Sequence, residues 1–140
     1  MGNLGNALAR QGRLVEAKEV LCDSLEMDAD NPSVRTNYGA LLLEQGDVNG
    51  AVQEFERALA IAPELSDAHW NRGLARLVSG ALKDGFAGYE YRWRLPEFTM
   101  RHTDIPLWHG EALEGKSILI HSEQGFGDTL QFVRYTDALK

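Results

Sequence analysis

Cysteine, proline, basic residues and long apolar runs are all scarce in this chain of 140 residues. Cys22 is the only cysteine, so no intramolecular disulfide can form, and a lone thiol fits a reducing compartment. No uninterrupted apolar run approaches the roughly 18–20 residues of a membrane span. The N-terminus "MGNLGNALARQG" lacks the charged-then-apolar layout of a signal peptide, and Asn6 stands where a myristoylation motif wants Ser or Thr. The chain therefore reads as cytoplasmic. Lys and Arg number 14 against 21 Asp and Glu, for a formal charge of −7. The excess is spread, with 10 basic and 14 acidic residues over 1–95 and 4 against 7 over 96–140. No basic stripe is present to neutralise phosphates, which excludes nucleic acid as a partner; an acidic surface serves solubility or meets a basic partner. His69, His102, His109 and His121 lack metal-ligand spacing and no cysteine pair assists them, so neither metal nor cofactor is expected. Lys116-Ser117 is not preceded by a P-loop, and no serine sits in a nucleophile elbow.

What is present is an ordinary globular composition, 44% hydrophobic and 25% charged, and an internal repeat. "NLGNALARQG", "NYGALLLEQG" and "NRGLARLVSG" begin at Asn3, Asn37 and Asn71. The glycines Gly5, Gly39 and Gly73 share that 34-residue period, as do Gly12, Gly46 and Gly80. A fixed period of this length marks a helical solenoid built from helix pairs. In the second repeat "DNPS" supplies a helix start, giving a first helix over about 33–45. Gly46 breaks it, and Val48, Ala51, Val52, Phe55, Ala58, Leu59 and Ala62 form the apolar stripe of a second helix that Pro63 closes.

These residues resemble the tetratricopeptide repeat (TPR). Its consensus run of Gly, Ala, aromatic, Ala and Pro falls on Gly39, Ala51, Phe55, Ala58 and Pro63. The first repeat, clipped at Met1, keeps Gly5, Ala17 and Leu21 but departs at Ser24 and Ala29. The third keeps Gly73 and Tyr89, with Gly85 and Arg92 in place of the two alanines, so its second helix is the least well specified. The resemblance covers residues 1–95 and implies a mainly α right-handed superhelix whose first helices line a groove. That groove would present Asn3 and Asn6, then Asn37, Ala40 and Glu44, then Trp70, Asn71 and Leu74. Asn3, Asn37 and Asn71 would form a ladder like that of the O-GlcNAc transferases, gripping a peptide backbone through amide donors and acceptors. The alternative is that each asparagine bonds to a neighbouring helix. Trp70 is either a hot spot or a packing residue. Asp67 and Asn71 stand where chaperone-tail clamps carry basic residues, which argues against that ligand class.

Residues 96–116 read as a linker. "SILIHS" over 117–122 reads as a buried strand, "EQGFG" as a turn and "DTLQFVRYTDAL" as an amphipathic helix. Strand, glycine turn and helix open a Rossmann-like unit, in which Gly125 and Gly127 would approach a phosphate or substrate. The stretch from "GFAGYEYRWR" through "PLWHGEALEGKSILIHSEQGFGDTLQFVRY" resembles bacterial proteins in which TPRs precede a GT-B glycosyltransferase-like domain related to heptosyltransferases. The resemblance makes Asp128 a candidate catalytic base in a full-length parent; "DTLQ" equally fits a capping box with Asp128 as N-cap. The expectation is a fragment: a protein- or peptide-binding TPR scaffold over 1–95, not catalytic by itself, followed by the first βα unit of an incomplete domain over 117–140. The alternative is the acceptor-binding arm of a TPR-containing glycosyltransferase. An unpaired strand would also offer a route to self-association through the tail.

Overall fold

The computed structural model describes residues 2–123 and 125–139. It divides into two units, the first ending at Arg101 and the second beginning at His102. The first unit is three helical hairpins: α1 (Gly2–Arg10) with α2 (Leu14–Met27), α3 (Pro32–Glu44) with α4 (Val48–Ile61), and α5 (Ser66–Val78) with α6 (Leu82–Tyr89). A 3-10 turn, Glu90–Arg94, continues α6. Each hairpin packs on the next through α2 against α3 and α4 against α5, and the first helices α1, α3 and α5 meet in series.

Local chemistry explains the boundaries. Asn31 caps α3, its side-chain oxygen accepting the Val34 N–H at 3.1 Å, with Pro32 in the first turn. Asp47 caps α4 by accepting the Gly50 N–H at 2.9 Å. Each first helix ends in the same way. Gly12, Gly46 and Gly80 have φ of 75°, 85° and 83°. Their N–H groups reach Ala9, Leu43 and Leu77 carbonyls, and the residues after them reach Leu8, Leu42 and Arg76. That is the paired hydrogen bonding of a Schellman motif, which a left-handed residue permits.

The hairpins close on small-to-large contacts. Phe55, Leu21 and Leu41 are the largest fully buried side chains. A Cβ on Gly39 would sit 2.6 Å from Phe55 Cε1, and one on Gly5 would sit 2.6 Å from Leu21 Cγ. Ser24 replaces an alanine at no polar cost, because its hydroxyl donates to the Val20 carbonyl at 2.6 Å. In the third hairpin the contact is backbone on backbone: a Cβ on Gly73 would meet Tyr89 N at 2.6 Å and Gly88 C at 2.7 Å. Arg92, where the repeat otherwise has alanine, is buried within the 3-10 turn. Its guanidinium lies over the Tyr89 and Trp93 rings at 4.4 and 4.3 Å and donates to Glu90 at 2.8 Å. Across α3 and α4, the largely buried Arg35 and Glu54 pair at 2.8 Å, and Arg35 also donates to the Ala29 carbonyl.

The second unit departs from expectation. No strand forms among the described residues, and 117–123 has no regular structure. A strand needs neighbouring backbone to take up its N–H and C=O groups, and here only one strand-like stretch exists. Leu119 and Ile120 are each 51% exposed rather than buried. The helix α7 spans Phe126–Phe132 and gives way to a 3-10 turn over Val133–Leu139, so the amphipathic helix is shorter than its sequence pattern implies. Its N-cap is Gly125, not Asp128, which lies inside the helix, so the capping-box reading fails. The side chain of Asp128 lies outside the described ones.

Gly39→Ala and Gly46→Ala should both destabilise the array, for different reasons. At 39 the added methyl invades the Phe55 ring; overpacking costs about 1–3 kcal/mol, offset by roughly 1 kcal/mol of helix propensity. At 46 it meets nothing within 4 Å but must hold a left-handed φ, at about 1–2 kcal/mol. Combined with Phe55→Leu, Gly39→Ala should cost less than the sum of the two changes, whereas Gly46→Ala should be additive. Urea midpoints of the single and double variants check this; equal coupling at both positions would contradict it.

Candidate functional site

The first helices bring their polar faces to one cavity of about 520 Å³. From α1 come Asn3, Asn6 and Arg10, spaced to share a helix face; from α3 come Ser33, Thr36, Asn37 and Ala40; from α5 come Asp67, Trp70 and Asn71. Of the groove residues named from sequence, Asn3, Asn6, Asn37, Ala40, Trp70 and Asn71 line this cavity. Glu44, exposed, and Leu74, half-buried, are not among its lining residues.

The asparagines are tied into the scaffold. The Asn37 side-chain amide donates to the Gly2 carbonyl at 3.2 Å, linking α3 to α1. The Asn71 amide donates to the Asp67 carbonyl at 2.8 Å, one turn back on its own helix. Thr36, buried, returns its hydroxyl to the Pro32 carbonyl at 2.8 Å.

The remaining wall comes from a segment read as the start of a linker. After the 3-10 turn, Leu95-Pro96-Glu97-Phe98 forms a β-turn closed by the Phe98 N–H donating to the Leu95 carbonyl at 3.2 Å. Proline at its second position favours that turn. Leu95 is buried at 6% exposure, and Phe98 stands edge-on to Trp70 with ring centroids 5.5 Å apart. Leu95, Glu97 and Phe98 all line the cavity. Trp70 buries its indole Nε1 without a hydrogen-bond partner among the described residues. Glu97 brings a second carboxylate to Asp67. Partial burial, then the charge of Glu97, raises the Asp67 pKa above its ordinary value.

Residues 3–77 match the tetratricopeptide repeat family. The chain belongs to that family. Solved TPR structures share the fold. The first TPR of Spaghetti (RPAP3), bound to the HSP90 peptide SRMEEVD, matches with a TM-score of 0.61 at 20% identity, covering 98% of this chain and 90% of that one. The first TPR domain of human RPAP3 matches with a TM-score of 0.63 at 23% identity, covering 74% and 81%. Protein FlbA of Caulobacter vibrioides is 28% identical over 93% of this chain; the chain spans 28% of the length of that relative.

The other sites named from sequence lie in the second unit. Gly125 and Gly127 face open space, where an added Cβ would meet nothing within 4 Å. The rings of His102 and His121 meet edge-on at 5.2 Å, yet no group of three or more metal-ligating side chains forms among the described residues. None of the described helices is long and apolar enough to cross a membrane.

The TPR cavity carries a pH signature. Because the folded-state pKa of Asp67 is raised, its contribution favours the folded chain when protonated and is lost as pH rises through that pKa. Glu97→Gln should move the Asp67 titration midpoint down toward the ordinary carboxylate value of about 4. A carboxyl-carbon NMR titration of both proteins reads this directly, and an unchanged midpoint would remove Glu97 as a cause.

Proposed function

We propose that this chain is a peptide-binding TPR module whose groove is the cavity on α1, α3 and α5. The observation that carries the reading is the convergence of Asn3, Asn6, Asn37 and Asn71 with Trp70 on a single concave surface. Amides offer both donors and acceptors to an extended backbone, and a half-buried indole offers an anchor. The likeness to a TPR solved with a bound HSP90 peptide supports a peptide as the class of ligand. It does not carry over the acidic chemistry of that peptide: among the described lining residues, Asp67 and Glu97 stand against one cation, Arg10. The cytoplasm is the location we assign to the module.

A second reading makes the array the acceptor-binding arm of a longer transferase. The similarity to FlbA, which runs over 93% of this chain and into a relative of which the chain spans 28%, supports a longer parent; the transferase part rests on the sequence resemblance of the tail. On that reading Gly125, Gly127 and Asp128 belong to the first loop of a glycosyltransferase-like domain, and Asp128→Asn in a full-length parent abolishes transfer of labelled sugar. The exposed Leu119, Ile120, Leu130 and Phe132 also give the tail a surface for self-association.

The groove reading is tested by fluorescence-anisotropy titration of extended peptides against the double variant Asn37→Ala/Asn71→Ala. Affinity should fall about tenfold, the scale of one or two backbone hydrogen bonds. Melting curves separate this from unfolding, since Asn37 also ties α3 to α1. Unchanged affinity in a folded double variant removes the ladder from the account.

A further inference from the structure

Resting on the reading of the cavity as a peptide groove, we infer that its α5 end recognises a cationic side chain, a lysine or arginine of the bound segment. Two carboxylates are held together there by different elements. Asp67 stands in the first turn of α5, and Glu97 is presented by the turn that follows the third hairpin. Both line the same cavity, and the Trp70–Phe98 ring contact at 5.5 Å holds their two segments together. Neither makes an ion pair among the described residues, whereas Glu54, Glu56, Glu64 and Glu90 all do. Like charges brought together without a counter-ion are a cost that a bound cation removes.

The surroundings fit a long basic side chain rather than a free ion. The Trp70–Phe98 pair flanks the two acids and offers apolar surface for an aliphatic stem, leaving the charged head to reach the carboxylates. Arg10 does not cancel this charge. It reaches the cavity from α1, which has no contact with α5; α3 lies between them. The groove is thus polarised, with its cation on α1 and its anions on α5 and the Leu95–Phe98 turn, and a segment with a basic residue at one fixed position matches that acidic end.

Panning the full chain against a random nine-residue peptide library tests the inference. Bound peptides should be enriched in Lys or Arg at one position. Replacing that lysine by norleucine in a selected peptide should weaken binding about three- to tenfold, the range for exposed and half-exposed charge pairs, with reduced salt dependence. Asp67→Asn/Glu97→Gln should abolish the preference for lysine over norleucine, while Arg10→Gln leaves it intact. Melting curves confirm that each variant is folded, and the single variants Asp67→Asn and Glu97→Gln serve if the double one is not. Enrichment of peptides without Lys or Arg, or of acidic peptides, overturns the cation inference and leaves the groove reading standing. No enrichment over an uncoated support overturns both.

Discussion

The separation of the two helices in each hairpin is set by one contact, and the geometry of the groove follows from it. Interaxial distance depends on the side chains at the crossing. In the second hairpin the crossing is a glycine against the ring of Phe55; in the first it is a glycine against Leu21. With those distances fixed, α1, α3 and α5 fall into series and present residues three and four apart to a common surface. The identical left-handed glycine ends matter for the same reason. They return the chain in the same direction each time, so the register of the three polar faces is maintained.

The third hairpin breaks the pattern, and the break builds part of the site. Gly73, Gly85 and Gly88 bring α5 and α6 close enough for backbone to touch backbone. α6 then ends after Tyr89 and tightens into a 3-10 turn around the buried Arg92. The helical path ends at Arg94, nearly in register with the end of α4, and the Leu95–Phe98 turn then packs against Trp70. That turn places Glu97 on the same cavity as Asp67.

This explains which parts could be read from the sequence. The repeats were legible because their signals are local and periodic: glycine at each turn, alanine and an aromatic on the facing helix, and polar caps at Asn31 and Asp47. The position of Asn3, Asn6, Asn37, Ala40, Trp70 and Asn71 on one cavity followed from that register, while Glu44 and Leu74 fall outside its lining. Leu95, Glu97 and Phe98 did not, since their partner Trp70 is distant in sequence; the only local hint was a proline turn between a leucine and a phenylalanine. The tail was misread for the opposite reason. Ile118, Leu119 and Ile120 have the composition of a buried strand, but pairing is a property of two segments, and the second unit supplies one. Asp128 has the spacing of a cap, yet Gly125 begins the helix three residues earlier, before any side-chain oxygen can serve.

On the proposed reading, the asparagine ladder and the acidic pair divide the work of the cavity. Asn37 and Asn71 already donate to scaffold carbonyls, so part of their amide capacity goes to holding α3 against α1 and shaping the first turns of α5. Amides so committed contribute to any extended backbone in much the same way and discriminate little among sequences. Charge is different, because placing the wrong sign beside Asp67 and Glu97 adds repulsion as well as forgoing attraction. Those two residues are also the feature in which this cavity departs most from one suited to an acidic tail. On the proposed peptide-groove reading, selectivity therefore belongs to the α5 end, which the least regular repeat supplies.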